Sequence, residues 1–163
     1  MSQKPVSGQS GTVKIASVFD AKRILIIEQA TKPEVLDALV DCLADTPQVK
    51  DRDDLKKGIF KREELMSTGI GFGVAIPHVR LDSVDDIVAA AAVCRQPIED
   101  YASLDNQPVR LVFMIAAGQS QHDTYLRLLA MLAEQLKKEQ FRSKLISAAD
   151  PESFYRILAG KGN

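Results

Sequence analysis

Apolar positions along this chain recur with two different periods. Residues 13–19 alternate weakly and residues 24–27 form a short β-branched run, which predicts two brief strands or extended pieces. A helical period follows. Thr31 with Glu34 three residues later forms a capping box, Pro33 is tolerated in a first turn, and Val35, Leu36, Leu39 and Leu43 make one stripe, predicting a helix over 32–45. Leu55, Ile59 and Met66 predict a second helix over 53–66, with Gly69 as its stop. Residues 73–81, 86–95 and 108–117 are rich in Val, Ile and Ala between Gly, Pro, Asp and Asn, and read as the central strands. Ser120 with Asp123 opens a long amphipathic helix whose inward residues are Tyr125, Leu126, Leu129, Leu132, Ala133 and Leu136, with Lys137 and Lys138 complementing its C-terminal dipole. Two shorter helices are predicted over 140–148 and 151–158. Helices alternating with and following strands imply a single layered α/β domain over residues 13–160, its mixed central sheet covered by helices.

Composition narrows the function. The chain of 163 residues carries a formal net charge of -1, so it has no overall attraction to nucleic acid or to anionic membrane, and a partner must be recognised by a local patch. The longest apolar run, near residues 87–94, is far below the ~20 residues that span a bilayer, so no membrane insertion is expected. Residues 1–12 are polar, without the apolar stretch of a secretory signal, and read as a flexible lead. Cys42 and Cys94 sit in apolar stretches with no metal-ligand spacing, as buried free thiols in a reducing cytoplasm do.

The chemistry concentrates in residues 62–78. Arg62 falls on the apolar stripe of the second helix, where it must meet an anion or a carboxylate, or else snorkel to water at the stripe's edge. Gly69, Gly71 and Gly73 permit left-handed backbone and close approach, so amides of this turn could converge on an anion. Pro77 holds Ile76 extended and fixes the direction of His78. A dinucleotide fingerprint is excluded because Val74 stands where its third glycine belongs, and neither a nucleotide-hydrolase phosphate loop nor a G-x-S-x-G elbow occurs.

Arg62-Glu63, Thr68-Gly69-Ile70-Gly71 and Gly73-Val74-Ala75-Ile76-Pro77-His78 resemble the active-site signature of the type 2 enzyme IIA domains, the fructose, mannitol and nitrogen-regulatory members of the bacterial sugar phosphotransferase system. The resemblance continues through Leu104-Asp105-Asn106-Gln107-Pro108-Val109 and residues 126–133 and 145–158, and so covers about 13–158. It implies a mannitol/fructose IIA-like fold in which His78 accepts a phosphoryl group from a small HPr-like histidine phosphocarrier protein. The group would pass to an enzyme IIB or serve as a signal to a regulatory target, with no cofactor and no metal. Neutral imidazole is a good nucleophile and its phosphoramidate can transfer again. Arg62, matching the family's arginine, would steady the phosphoryl oxygens, and Thr68, Gly69, Gly71 and Gly73 would support the group.

The family usually carries a second active-site histidine in His-Leu-x-x-Leu-Ala, where this chain reads Tyr125-Leu126-Arg127-Leu128-Leu129-Ala130. His122 lies one helical turn earlier, so either His122 or the Tyr125 hydroxyl can replace the missing group, at a helix start that favours anions. Phe72 also stands where the family often has asparagine. The alternative is a non-catalytic regulatory binding module. A metal hydrolase is a remote third option, resting on two histidines and scattered acids. Within the phosphocarrier reading, a regulatory role is favoured over sugar transport, in the cytoplasm.

Overall fold

The computed structural model describes residues 14–161; the flexible lead expected over residues 1–12 lies outside them. Strands β1 (Ile24–Ile27), β2 (Gly69–Gly71), β3 (Val74–Ala75), β4 (His78–Leu81), β5 (Val88–Ile98) and β6 (Val109–Gly118) form one mixed sheet. Its order is β1-β5-β6-β3-β2, with β4 continuing beside β6 beyond β3. β5 and β6 are antiparallel, β1 runs parallel to β5, and β3 and β4 run parallel to β6. The helices are α1 (Lys32–Ala44), α2 (Arg52–Leu65), α3 (His122–Leu136), α4 (Glu139–Ser147) and α5 (Pro151–Leu158).

The period-2 alternation of the central strands divides the interior into two cores. Ala90, Ala92, Cys94, Val112, Met114 and Ala116 face α1 and α2, meeting Leu36, Leu39, Leu43, Leu55 and Ile59. Ala89, Ala91, Val93, Leu111, Phe113 and Ile115 face the other way, against Leu128, Leu132 and Leu136 of α3 and Phe154 of α5. Small alanines along β5 let helices lie close on both faces. α1 begins at the predicted capping box: the Glu34 amide donates to Thr31 Oγ1 at 3.3 Å and the Thr31 amide to Glu34 Oε1 at 2.8 Å.

Several expectations are corrected. Residues Ile15–Val18 form a turn of 3-10 helix instead of a strand, pinned by Arg23, whose guanidinium donates to the carbonyls of Val18 at 3.2 Å and Ala89 at 3.1 Å. The single strand expected over 73–81 is divided at Ile76 and Pro77, because proline has no N–H for the ladder. The register nevertheless runs on, with Ala75 opposite Val112 and His78 opposite Ile115, whose amide donates to the Pro77 carbonyl at 3.0 Å. Ser120 and Asp123 do not box α3; a 3-10 turn at Gln119–Gln121 precedes it, and the Gln121 side chain accepts the Gly118 amide at 2.8 Å. Leu126 points outward and Leu128 inward, since the buried stripe runs Tyr125, Leu128, Leu132, Leu136. Met66 is exposed, because the chain leaves helical geometry there. Cys94 is buried, and Cys42 is half-buried instead of fully enclosed.

Candidate functional site

His78 opens β4 immediately after Pro77. Strand alternation sends Val79 and Leu81 toward α1 and α2 and leaves His78 and Arg80 on the α3 side. The His78 ring turns back on its own chain, with Nδ1 2.5 Å from the Ile76 carbonyl oxygen. A carbonyl only accepts, so Nδ1 carries the proton and the lone pair is on Nε2. Burial is the main cause that lowers the pKa of His78; the hydrogen bond to Ile76 and the carboxylate of Glu63 oppose it, and Arg62 reinforces it.

Arg62 comes from the last turn of α2 and is anchored by a 2.7 Å hydrogen bond from Nη1 to the Met66 carbonyl. Its positive charge is near enough to act on both His78 and Tyr125, lowering the pKa of each. Tyr125, in the first turn of α3, is 7% exposed, its ring centroid 5.8 Å from that of His78 at a tilt of 53°. Arg80 lies on the same tyrosine, Cζ 5.8 Å from the ring centroid. His122 is the first residue of α3 and is exposed; the ring that packs on His78 is that of Tyr125.

The glycine turn is a β2–β3 hairpin whose polar groups are engaged internally. Thr68 Oγ1 is hydrogen-bonded to Glu63 Oε2 and lies 2.9 Å from the Tyr101 hydroxyl, and the Gly69 amide donates to Ser67 Oγ at 3.2 Å. The carboxylate that the turn meets is the chain's own: the Phe72 amide donates to Asp105 Oδ2 at 2.9 Å, which holds the Asp105 carboxyl below its ordinary range. Gly71 and Gly73 have φ of 102° and 75°, as has Phe72 at 60°, its ring against the Arg142 guanidinium. Gly69 is fixed by close approach, since a Cβ there would stand 2.2 Å from the Ala102 carbonyl oxygen.

Four participants, Glu63, Lys32, Tyr101 and Arg80, have no role in the reading from sequence. Glu63 is a buried carboxylate that accepts from the Thr68 amide at 3.2 Å and the Tyr101 hydroxyl at 3.1 Å and pairs with Lys32 Nζ at 3.0 Å. It ties the end of α2 to the base of the hairpin and so fixes its neighbour Arg62. Glu63 is visible in the Arg-Glu pair, whereas Lys32 and Tyr101 reach it from distant segments without a local signal. Arg80 is signalled by its position two residues after His78 on a strand. Among the described residues, no group of three or more His, Cys, Asp or Glu is placed to hold a metal. Burial raises the Cys94 thiol to about 11.

A mixed sheet layered between helices, carrying an Ile-Pro-His strand start beside an arginine from a helix end, is the architecture of a phosphotransferase-system IIA domain of the second type. The chain belongs to that family: the family described as "Phosphoenolpyruvate-dependent sugar phosphotransferase system, EIIA 2" matches residues 17–161. It is 38% identical over 134 residues to the fructose-specific EIIABC component of Bacillus subtilis, covering 82% of this chain and 21% of that longer protein. It is 28% identical over 152 residues to a nitrogen regulatory protein of Pseudomonas aeruginosa, covering 93% of this chain and 98% of the other. The structure of nitrogen regulatory protein IIA-Ntr from Neisseria meningitidis superimposes with a TM-score of 0.81 at 27% identity, covering 88% of this chain and 98% of that one.

Proposed function

We propose that this protein is a phosphocarrier of the nitrogen-regulatory branch, accepting a phosphoryl group on Nε2 of His78 from an HPr-like histidine phosphocarrier. One observation carries this reading: the Nδ1 hydrogen bond to the Ile76 carbonyl presents the opposite nitrogen of a ring whose burial favours its neutral form. The Nε2 lone pair attacks the donor's phosphorus, a P–N bond forms on His78, and the P–N bond to the donor ring breaks with its electron pair returning to that ring. Each imidazole keeps the proton on its other nitrogen, so the step needs no proton transfer. The transition state is loose and anionic, and Arg62 is the cation beside it. Thr68 and the three glycines serve the phosphoryl group indirectly, by holding the hairpin that leads into His78.

The partner surface is local. Among the described residues, the large apolar side chains left exposed are Leu65, Met66, Phe72, Leu104 and Leu126. Leu65 and Met66 follow Arg62, Phe72 tips the hairpin, Leu104 is hydrogen-bonded through its amide to Gly69, and Leu126 adjoins Tyr125. Exposed apolar side chains on the elements that build one site mark it for protein docking. The donor docks there first, and an enzyme IIB or a regulatory target afterwards. The regulatory branch is favoured by the nitrogen regulatory protein of Pseudomonas aeruginosa and the IIA-Ntr structure from Neisseria meningitidis, each covered over 98% of its length. No described helix is long and apolar enough to cross a membrane, and phosphoenolpyruvate-dependent donors act in the cytoplasm, where we place this protein.

The test is incubation with phosphoenolpyruvate, enzyme I and the histidine phosphocarrier, followed by intact mass and peptide mapping. One acid-labile phosphoryl group on the His78 peptide, lost in His78→Ala, is the expected result. No labelling by a validated donor would replace this reading with the non-catalytic binding module.

A further inference from the structure

A groove of about 870 Å³ lies between α3, α4, the end of α5 and the 3-10 turn at Ile15–Val18. Ile15, Met131, Phe141, Tyr155 and Leu158 give it an apolar and aromatic lining. Its walls are tied together. The Tyr155 hydroxyl donates to the Ala16 carbonyl at 3.3 Å, joining α5 to the 3-10 turn. At the start of that turn the Lys14 carbonyl accepts from the Ser17 amide at 3.0 Å and from the Ser17 hydroxyl at 2.6 Å. α5 ends on Gly160 with φ of 76°, and the Lys161 amide donates back to the Arg156 carbonyl at 2.8 Å, so this left-handed ending brings Lys161 to the groove.

Lys14, Lys138, Lys144 and Lys161 also line the groove, and among the described residues no aspartate or glutamate does. The ion pairs of the described residues use none of these four lysines. In a chain of net charge -1, four cations gathered without a carboxylate are a local excess. Like charges in a cleft repel one another and focus their field on an arriving anion. α4 starts beside the groove, at Lys138, without a side-chain cap, which adds the partial positive charge of a helix start. We propose that this groove binds a nucleotide, its base against the apolar and aromatic side chains and its phosphates on the lysines. The volume is that of a small-molecule site. Four cations exceed what a single carboxylate can use, and lysines serve phosphates as point charges. Phe141 and Tyr155 are half-buried and offer ring surface to a base. The site is separate from His78: Met131 stands about 9 Å further along α3 than Tyr125. The proposal does not depend on the phosphocarrier reading.

The test is calorimetric titration of the full chain with ATP, GTP and CTP at about 150 mM salt, beside the matching nucleosides and inorganic triphosphate. At least one nucleotide is expected to bind, with its nucleoside and triphosphate each weaker by roughly tenfold or more, since each carries only half of the recognition. The Lys144→Gln/Lys161→Gln double variant is expected to lose roughly tenfold or more in affinity without a lower melting temperature, because it relieves repulsion between cations that pair with no carboxylate. His78→Ala should bind as the wild type does. Triphosphate that binds as tightly as the nucleotides would overturn the proposal in favour of a diffuse lysine patch. Nucleotide binding lost in His78→Ala and kept in the lysine variant would move the ligand to the His78 site and overturn it as well. Binding of none of the three nucleotides would overturn it outright.

Discussion

Burial lowers the pKa of His78 below its ordinary 6.5, and that one shift ties the chemistry of the residue to the stability of the fold. Because the folded ring binds its proton less readily than the unfolded one, the unfolded chain takes up more protons as pH falls below about 6.5. Stability contributed by the neutral ring is therefore full above that pH and declines as pH drops toward the folded value. Wild-type protein is expected to lose more thermal stability between pH 7 and pH 5 than His78→Ala, in melts recorded by circular dichroism. Labelling follows the same titration, with a rate flat from pH 8 down to about 6.5 and falling below the folded pKa, once the donor's own pH profile is divided out. Arg62 is separable from this. Its side chain is half-exposed and bonded to one backbone carbonyl, so Arg62→Ala should leave the melting temperature within a few degrees of wild type while slowing labelling by roughly 10- to 100-fold, the worth of a charge-assisted hydrogen bond.

At the scale of elements, helices and strands with a clear period are legible in the sequence, and departures arise where a tertiary contact overrides the local pattern. The capping box of α1 and the proline start of α5 stand as the residues predict, because their bonds are made within a few residues. Residues 15–18 wind into a 3-10 turn because Arg23 claims the Val18 carbonyl, and no local period announces that bond. The glycine hairpin shows the same divide within the site. Its left-handed corners are legible from Gly71 and Gly73, but the anion they meet, Asp105, lies in a distant loop. Gly69 is placed by the backbone of Ala102 and Ser103, which a Cβ would approach to 2.2 Å and 2.9 Å. Backbone cannot move aside as a side-chain tip can, so Gly69→Ala is expected to destabilise the protein by about 1–3 kcal/mol in urea unfolding. It should also slow labelling, since the displaced hairpin leads directly into His78; a variant with wild-type stability would show that the loop of residues 102–105 yields freely.

For the whole molecule, the deciding quantity is how a nearly neutral protein finds its donor. A formal net charge of -1 gives no long-range field to steer encounter, so recognition falls to short-range contact. The exposed apolar side chains border the elements that build the His78 site, while the two cores take up most of the others. Leu126 is half-exposed on the turn that carries Tyr125, and Met66 is two-thirds exposed beside the Arg62 anchor. Truncating either to serine removes contact area from a docked partner and leaves nothing unpaired in the free protein. Leu126→Ser and Met66→Ser should each weaken docking by about 1 kcal/mol or more, the usual mark of a contributing interface residue, and so slow labelling by the histidine phosphocarrier several-fold. The same variants should take label from phosphoramidate at the wild-type rate, because a small donor needs His78 and its neighbours but no docking surface. Equal losses with both donors would place these side chains in the support of the site, and no loss with either would move the docking surface to another face of the molecule.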